Sequence, residues 1–393
     1  MSRASSAEIF PFSRRPWPPR CTASTRWPGG CRARCPPSPR LRARSGGDSV
    51  RLTVAVGGDD FRNLAGDHPH DTARLRALLP LLPSRGEGSR GVFAVQVTVF
   101  PRAGICVGTT PSPTWAAIHR RLVGADKTVM DVAAPMFDRG VVARRRAPGG
   151  VRPRPPRSGR RQAAGLLGPE QAAGRRRVVL ATFRFTEELL ARLGKRVESE
   201  TSARRCSPYS LACGAAWAGI VHARGGNGTN CNARHQFGFV TGCKPRTTPP
   251  VPGNYFGNCL GLCRVEEEDH DGRGLTASAA SAVIWHAIEK LTEHGRALRD
   301  ARGWVRLVRE CAAARAVTVA GSSKLGIYAA ADMGAPWGRP RKVEIISVER
   351  TGALALAENL DGGGGGIEVG VALPRAEMEA FRAFYGDLVA GLR

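Results

Sequence analysis

The chain is poor in lysine although it is strongly basic. Only six of its 59 basic residues are lysines, and the formal net charge is +26. The excess is therefore arginine, which is concentrated together with proline and glycine in residues 1–47 and 139–177. Clustered basic residues normally indicate a polyanionic partner, but here that inference applies only to the two tracts. The rest of the chain has the composition of an ordinary, mildly charged protein.

Metal-type cysteine spacings and long apolar runs are also missing. None of the 11 cysteines forms a Cys-x-x-Cys pair, and the spacings Cys31–Cys35 and Cys259–Cys263 lack a matching second pair, so no metal site is indicated. Mostly buried, reduced thiols are expected instead. No stretch reaches the roughly eighteen apolar residues of a membrane span, and the N terminus lacks the apolar run of a signal peptide. These absences predict a cytoplasmic protein without a membrane partner.

What is present is enough for a folded α/β protein. The 393 residues and the hydrophobic content of 42% suffice for two domains with a buried core. Residue patterns predict strands at 50–56, 92–100, 105–109, 178–183, 237–240, 343–348, 353–357 and 367–372. They predict helices at 72–82, 186–196, 209–222, 277–298 and 374–392. Mixed strands and helices on both sides of a long crossover indicate a two-domain α/β architecture.

Composition divides the chain into four regions. Residues 1–47 are expected to be disordered, because they show neither helical nor strand periodicity. An N-terminal domain is predicted for 48–138, an Arg/Pro-rich crossover or linker for 139–177, and a C-terminal domain for 178–393.

The most informative local string is Tyr255-Phe256-Gly257-Asn258-Cys259. A structural interpretation makes it a glycine turn between two strands, with the aromatic side chains in the core. A functional interpretation is equally supported if the string stands alone. A second motif decides between them.

That second motif lies further along the chain. It reads Asp332, Met333, Gly334, Ala335, Pro336, Trp337, Gly338, Arg339 and Pro340. It resembles the Asp-Phe-Gly-Trp-Gly signature, with its Arg-Pro continuation, of the plant BAHD acyl-CoA-dependent acyltransferases. Tyr-Phe-Gly-Asn-Cys marks the branch of that family that acts on anthocyanins and flavonoid or phenolic glucosides and includes malonyltransferases. Two signatures in the family's order are far more specific than either one.

The resemblance implies a fold and a reaction. The fold is that of two chloramphenicol acetyltransferase-like domains with mixed sheets around a solvent channel, the N-terminal one being incomplete here. The co-substrate is acyl-CoA, carrying a malonyl or hydroxycinnamoyl group, and the acceptor is a hydroxyl of a phenolic or flavonoid glucoside. No bound cofactor is implied, and a monomer is expected. In this family the histidine of a His-x-x-x-Asp motif takes the proton from the acceptor hydroxyl, a role that suits an imidazole.

This chain lacks that histidine. None of its eight histidines has an aspartate four positions later. In the family the motif follows a strand like 104–110, but here Pro111-Ser112-Pro113-Thr114-Trp115 comes next. His119 lies nearby, yet its fourth neighbour is Val123, so it is not expected to act as the base. No catalytic residue is therefore assigned, and the activity of this chain is expected to be lost or impaired.

Trp337 is the remaining candidate for a direct role in the reaction, in which its indole would support the oxyanion. Ala335 and Pro336 are inserted directly before it relative to the family signature. Two extra residues in a tight loop are expected to displace the indole. The other motif residues are interpreted as architectural, with Asp332 pairing to an arginine. Arg339, Arg341 and Lys342 are expected to be solvated rather than bound to a phosphate or an acyl carboxylate.

Alternatives to a working transferase stay open. Arginine, proline, glycine and alanine are what GC-rich coding DNA yields when read out of frame, so both tracts are interpreted as out-of-frame or mis-spliced translation. A genuine, diverged pseudoenzyme is the competing interpretation. Nucleic-acid binding by the tracts is less well supported, because aromatic residues for base stacking are nearly absent from 139–177.

Overall fold

The computed structural model describes ten main stretches of the chain. They are residues 51–81, 94–110, 178–225, 234–247, 249–255, 259–268, 274–292, 304–334, 338–360 and 365–392, with short pieces at 31–32, 89–90, 136, 138 and 140–143. The strands are β1 Cys31–Arg32, β2 Arg51–Val56, β3 His70–Asp71, β4 Ser89–Arg90, β5 Ala94–Phe100, β6 Gly104–Thr110, β7 Val178–Phe185, β8 Arg234–Gly242, β9 Leu260–Glu268, β10 Val317–Gly321, β11 Leu354–Glu358 and β12 Ile367–Pro374. The helices are α1 Phe61–Leu64, α2 Thr72–Arg76, α3 Gly140–Ala143, α4 Glu187–Glu200, α5 Pro208–Ala223, α6 Ala277–Thr292, α7 Trp304–Ala313, α8 Ile327–Ala330, α9 Val348–Thr351 and α10 Arg375–Gly391.

A mixed seven-stranded sheet organises the described residues. Its order is β3-β7-β12-β11-β10-β8-β9, with β10 parallel to both β8 and β11 and the other pairs antiparallel. A three-stranded sheet has the order β2-β5-β6, and β1 pairs with β4. The prediction of an α/β fold with mixed sheets is confirmed.

Strand β7 shows how the large sheet is buried on both faces. Val179, Ala181 and Phe183 point into the main core, which helices α4, α5, α6 and α10 cover. Leu180 points the other way, into a second core. Side chains alternate between the faces of a strand, and both faces are apolar here, so β7 is a nearly continuous hydrophobic run.

Helix α5 lies at the centre of the main core. Its N-terminus is capped by the Ser207 side chain, which accepts from the Ser210 N–H at 3.2 Å, and Pro208 occupies the first turn. Apolar residues surround the helix, as expected for a buried one. At Gly214 an added Cβ would lie 2.6 Å from Ser281 Cα of α6. Glycine therefore sets the close approach of the two helices.

The second core joins the N-terminal elements to the large sheet. Leu75 of α2 and Phe100 of β5 pack with Leu180, Ala355 and Ala372 of the sheet. Phe100 is additionally 5.4 Å, centroid to centroid, from the ring of Phe61 in α1. The described N-terminal elements and the C-terminal sheet thus share one buried layer.

The outer edge of β7 is covered in an unusual way. The short strand β3 pairs only with Val179 and Leu180. Further along, the Thr182 N–H donates to the Asp67 carbonyl oxygen at 3.0 Å, and the Tyr385 hydroxyl donates to the Arg184 carbonyl oxygen at 2.5 Å. An irregular segment and a side chain thus satisfy backbone groups that a neighbouring strand would otherwise pair.

One predicted element is wrong and one is too long. Residues 343–348 form no strand, because β11 already has β10 and β12 on its two sides and offers them no free edge. Helix α2 ends at Arg76 instead of reaching residue 82. The Gln96 side-chain amide donates a hydrogen bond to the Ala77 carbonyl oxygen at 2.9 Å. Pro80 has no backbone N–H with which to continue the helical hydrogen bonds.

Most of the other predicted elements are confirmed within a few residues. The sequence patterns predicted no element at β9, β10 or α7, nor at the short elements β1, β3, β4, α1, α3, α8 and α9. Among the helices in the described stretches, none is both long and apolar enough to cross a lipid bilayer.

Candidate functional site

The Tyr255 motif lies in a loop bounded by Cys243 and Cys259, hereafter the motif loop, which connects β8 to β9. The Cys243 N–H donates to the Cys259 carbonyl oxygen at 2.8 Å and closes the loop at its base. Lys244 Nζ donates to the carbonyl oxygens of Gly253 at 3.1 Å and Tyr255 at 2.6 Å. The same ammonium lies 5.9 Å from the centre of the Tyr255 ring, within cation–π range.

Tyr255 is buried, with 4% of its surface exposed. The predicted position of the tyrosine in the core is therefore confirmed, and strands β8 and β9 lie on the two sides of the loop. Phe256, Gly257 and Asn258 lie outside the described residues.

The motif loop also holds the end of the N-terminal half. The Met136 N–H donates to the Asn254 carbonyl oxygen at 2.9 Å, and Met136 forms a parallel bridge with Tyr255. Val141 of α3 packs against the loop's small apolar cluster. The loop thus contacts Met136 and Val141, which are among the last residues that the structure describes before β7.

The second motif forms a loop that is closed at its neck. The Met333 N–H donates to the Gly338 carbonyl oxygen at 3.0 Å, and the Gly338 N–H donates to the Gly334 carbonyl oxygen at 2.7 Å. Both glycines have positive φ, 69° and 65°, which only glycine adopts without strain. Asp332 braces the neck, since its carboxylate accepts from the Gly334 N–H at 2.9 Å and lies 3.3 Å from Arg339 Nε.

The pairing of Asp332 with an arginine thus occurs inside the same loop. Arg339 has 65% of its side chain exposed, in line with the expected solvated position. Pro340 follows it and is half-buried. Trp337, Ala335 and Pro336 lie outside the described residues, so the displacement of the indole stays a prediction.

Beyond Pro340 the chain enters a set of charged and polar side chains, some buried and some partly exposed. We call this set the junction cluster; its members are Asp67, Thr182, Arg184, Tyr328, Lys342, Glu344 and Glu368. Lys342 Nζ lies 2.5 Å from Asp67 Oδ1 and 3.7 Å from Glu344 Oε1, and only 6% of the side chain is exposed. The expectation that Lys342 is solvated is therefore wrong, whereas Arg341 is exposed.

A second basic residue completes the cluster. Arg184 Nε lies 2.7 Å from Asp67 Oδ2 and 3.6 Å from Glu368 Oε1. The Tyr328 hydroxyl donates to Glu368 Oε2 at 2.7 Å and accepts from the Val343 N–H at 3.2 Å. Asp67 comes from the N-terminal half and the other members from the C-terminal half, so the cluster ties the two together.

Burial and neighbouring positive charges shift the pKa values of the carboxyl groups in opposite directions. Burial raises the pKa of Glu344 to about 7, although Lys342 and a hydrogen bond from Thr182 favour its ionised form. Burial also disfavours ionisation of Asp67, but its contacts with Lys342 and Arg184 prevail and lower its pKa. The cluster therefore holds one carboxyl that changes its protonation near neutral pH.

Sequence reasoning missed this cluster. Its members come from five separate parts of the chain and form no local motif. The only local signal was the Lys342 and Glu344 pair, two residues apart in a predicted strand. Within the described residues, no group of three His, Cys, Asp or Glu side chains is arranged to hold a metal ion.

The end of β6 is where a His-x-x-x-Asp motif would begin. Cys106 of β6 and Ile345, which follows the second motif, both pack against the second core. Residues 111–135, which include His119, lie outside the described stretches. His70 is the buried histidine of the described N-terminal half; its Nε2 contacts the Gly66 carbonyl oxygen at 3.0 Å, and burial lowers its pKa.

Solved structures place this architecture in the chloramphenicol acetyltransferase-like fold class. Vinorine synthase matches with a TM-score of 0.63 at 16% identity, over 94% of this chain and 82% of that one. TRI101 of F. graminearum, complexed with coenzyme A and T-2 mycotoxin, matches with a TM-score of 0.59 at 14% identity, over 93% and 87%. At such identities the likeness shows the fold alone.

Within that class the chain belongs to the Transferase family, the BAHD acyltransferases, whose model matches residues 46–385. A malonyl-CoA:anthocyanidin 5-O-glucoside-6''-O-malonyltransferase of Arabidopsis thaliana is 29% identical, over 86% of this chain and 77% of the relative. Phenolic glucoside malonyltransferase 1 of the same plant is 28% identical, over 84% and 75%. A coumaroyl-CoA:anthocyanidin 3-O-glucoside-6''-O-coumaroyltransferase of A. thaliana is 27% identical, over 88% and 78%. The family expected from the two motifs is confirmed.

Proposed function

We propose that this chain descends from an O-acyltransferase that moves a malonyl or hydroxycinnamoyl group from acyl-CoA to a hydroxyl of a phenolic or flavonoid glucoside. The observation that carries the proposal is the family match over 46–385, together with relatives whose names specify that donor and that acceptor class.

The reaction sets clear chemical demands. The acceptor oxygen attacks the thioester carbon, a tetrahedral oxyanion forms, and its collapse breaks the carbon–sulfur bond and expels the thiolate of coenzyme A. A base must take the hydroxyl proton, and the thiolate must receive a proton. An imidazole with a pKa near neutrality meets both demands and typically contributes about 10²–10⁴-fold to the rate.

We further propose that this chain turns over slowly or not at all. No histidine of the sequence has an aspartate four positions later, and Pro111 occupies the place where the motif would start. Glu344 titrates near neutral pH but is buried in the junction cluster, where its role is to balance Lys342. Trp337 remains a proposed support for the oxyanion.

The test restores the motif in place. The double substitution Pro111→His and Trp115→Asp recreates the His-x-x-x-Asp spacing directly after β6. Wild-type and double variant are each incubated with malonyl-CoA, then with coumaroyl-CoA, and a flavonoid glucoside, and acylated product is measured by mass spectrometry. The restored imidazole is expected to raise turnover by about 10²-fold.

A matched control carries Pro111→Gln with Trp115→Asp, which repeats the backbone change without the base. Equal rates in the control and the histidine variant would contradict the proposed role of the missing imidazole. Rapid turnover by the wild type would contradict the proposed impairment. Binding of malonyl-CoA without turnover in all three proteins would favour a non-catalytic ligand binder.

A further inference from the structure

Two cysteines face each other at the base of the motif loop. The last paired residues of the β8–β9 ladder are Gly242 and Leu260, so Cys243 and Cys259 are the next two residues in register. The 2.8 Å bond from the Cys243 N–H to the Cys259 carbonyl oxygen shows that the pairing continues to them. Directly opposed residues of antiparallel strands present their side chains on the same face.

Both side chains enter one small buried cluster. Cys243 is fully buried and Cys259 nearly so, and they pack with Val251 and Tyr255. Burial raises the pKa of Cys243 to about 11, and a negative charge on Cys259 contributes to that rise. Ionisation of one thiol is therefore disfavoured by ionisation of the other.

Ideal antiparallel pairing would bring the two cysteines to a spacing that suits a covalent bridge. Opposed residues with a hydrogen bond between them have Cα atoms about 5.5 Å apart, inside the range of roughly 4.4–6.8 Å that disulfides span. Their Cβ atoms are typically about 5 Å apart, whereas a disulfide prefers about 3.8 Å. A bridge here would draw the strand ends slightly together, and such bridges are the more easily reduced ones.

We propose that Cys243 and Cys259 form a reversible disulfide that clamps the motif loop. The oxidant is a low-molecular-weight disulfide of the glutathione type. One cysteine thiolate attacks it, forms a mixed disulfide and releases one thiol. The second cysteine thiolate then attacks the protein sulfur of that mixed disulfide and releases the other thiol. The two cysteines lose two protons and two electrons, and the oxidant becomes two thiols.

Cys259 is the expected first nucleophile. It is the less buried of the two, and although burial raises its pKa, the nearby Lys244 ammonium favours its thiolate. Thiolate character and access together decide which cysteine reacts. Cys243, which is fully buried, then closes the bridge from inside.

The bridge would strengthen the contact between the motif loop and the segment around Met136. The clamped loop carries Asn254 and Tyr255, which hold Met136 through a hydrogen bond and a β-bridge. Fixing the base of the loop should tighten its hold on that segment. This inference does not depend on the proposed acyl transfer.

The test uses the full-length protein treated with oxidised glutathione under native conditions and alkylated before digestion. Trypsin cuts after Arg234, Arg246 and Arg264 but not between Lys244 and Pro245, so the two cysteines fall in different peptides, 235–246 and 247–264. A Cys263→Ser background leaves Cys259 as the sole cysteine of the second peptide. The expected product is the two peptides joined, two hydrogens lighter than their sum.

Matched variants assign the bond. The joined peptides should be lost in Cys243→Ser and in Cys259→Ser and retained in Cys311→Ser, which removes a buried cysteine elsewhere. Dithiothreitol should restore both peptides. Should a serine variant fail to fold, the background protein alone decides, because its bond is read directly in the spectrum.

Two results would overturn the proposal. One is full alkylation of Cys243 and Cys259 after oxidation. The other is glutathione retained on Cys259 without closure to Cys243. Joined peptides that form only in urea, where any two cysteines can meet, would count against it equally.

Discussion

Lys342 shows what a single buried charge requires of its surroundings. Its ammonium contacts Asp67 and Glu344, and Arg184 approaches Asp67 from the other side. Burying a charge without a partner is costly, so each member of such a set depends on the others.

Removing the Lys342 ammonium should therefore destabilise the folded protein. We expect Lys342→Met to lower the free energy of unfolding by about 3 kcal/mol, because it leaves the buried Glu344 without its cation and Asp67 with Arg184 alone. Urea denaturation measures the difference. The control is Lys324→Met at an exposed lysine, expected to change stability by less than about 0.5 kcal/mol. Equal effects of the two substitutions would contradict a stabilising role for the cluster.

Glu344 predicts how stability depends on pH. Its pKa is about 7 in the folded protein against an ordinary value of 4.5, so the folded state binds its proton more tightly than the unfolded chain. The stability gained from that proton is present below pH 4.5 and is lost as the pH rises to about 7. The loss amounts to about 3 kcal/mol, counted as 1.36 kcal/mol per pKa unit.

Glu344→Gln should flatten this dependence. The amide keeps the shape of the protonated carboxyl and never ionises, so the variant should be more stable than the wild type at pH 8 and similar to it at pH 4.5. Unfolding free energies measured by urea at several pH values check the expectation. Parallel curves for the two proteins would show that Glu344 does not titrate in this window.

At the scale of elements, periodicity predicted the strands and helices that bury a regular face. The sheet strands β7, β11 and β12 and the helices α4, α5 and α10 agree with their apolar patterns. Residues 343–348 carry the same kind of pattern, but β11 already has β10 and β12 as its neighbours, which sequence alone does not reveal. The motif loop's Tyr255 was placed correctly in the core. The junction cluster could not be predicted, because distant elements supply its members.

The motif loop makes its own prediction. Lys244 holds two of its carbonyl oxygens and lies over the Tyr255 ring, so Lys244→Met should loosen the loop and cost about 2 kcal/mol, since bonds from charged donors are the stronger ones. Hydrogen exchange of residues 249–255 should become faster. Unchanged exchange there would show that the loop is held by its apolar cluster alone.

At the scale of the whole molecule, the N-terminal elements and the large sheet share the second core. We expect Phe100→Ala, which leaves a cavity in that core, to lower the free energy of unfolding by about 3–5 kcal/mol. Because the two halves share the layer, tryptophan fluorescence and circular dichroism should report one common transition. Leu81→Ala serves as control, since Leu81 is 83% exposed. Two separate transitions in the wild type would show that the halves unfold independently.

The covering of β7 bears on how copies of this chain behave towards one another. A strand edge with open N–H and carbonyl groups is a template on which another chain can add, and short or covered edges prevent this. Asp67 and Tyr385 close the part of the edge that β3 leaves uncovered. Losing residues 67–71, by proteolysis or by a shift of the N-terminal half, would expose a long apolar strand and make the protein prone to aggregate.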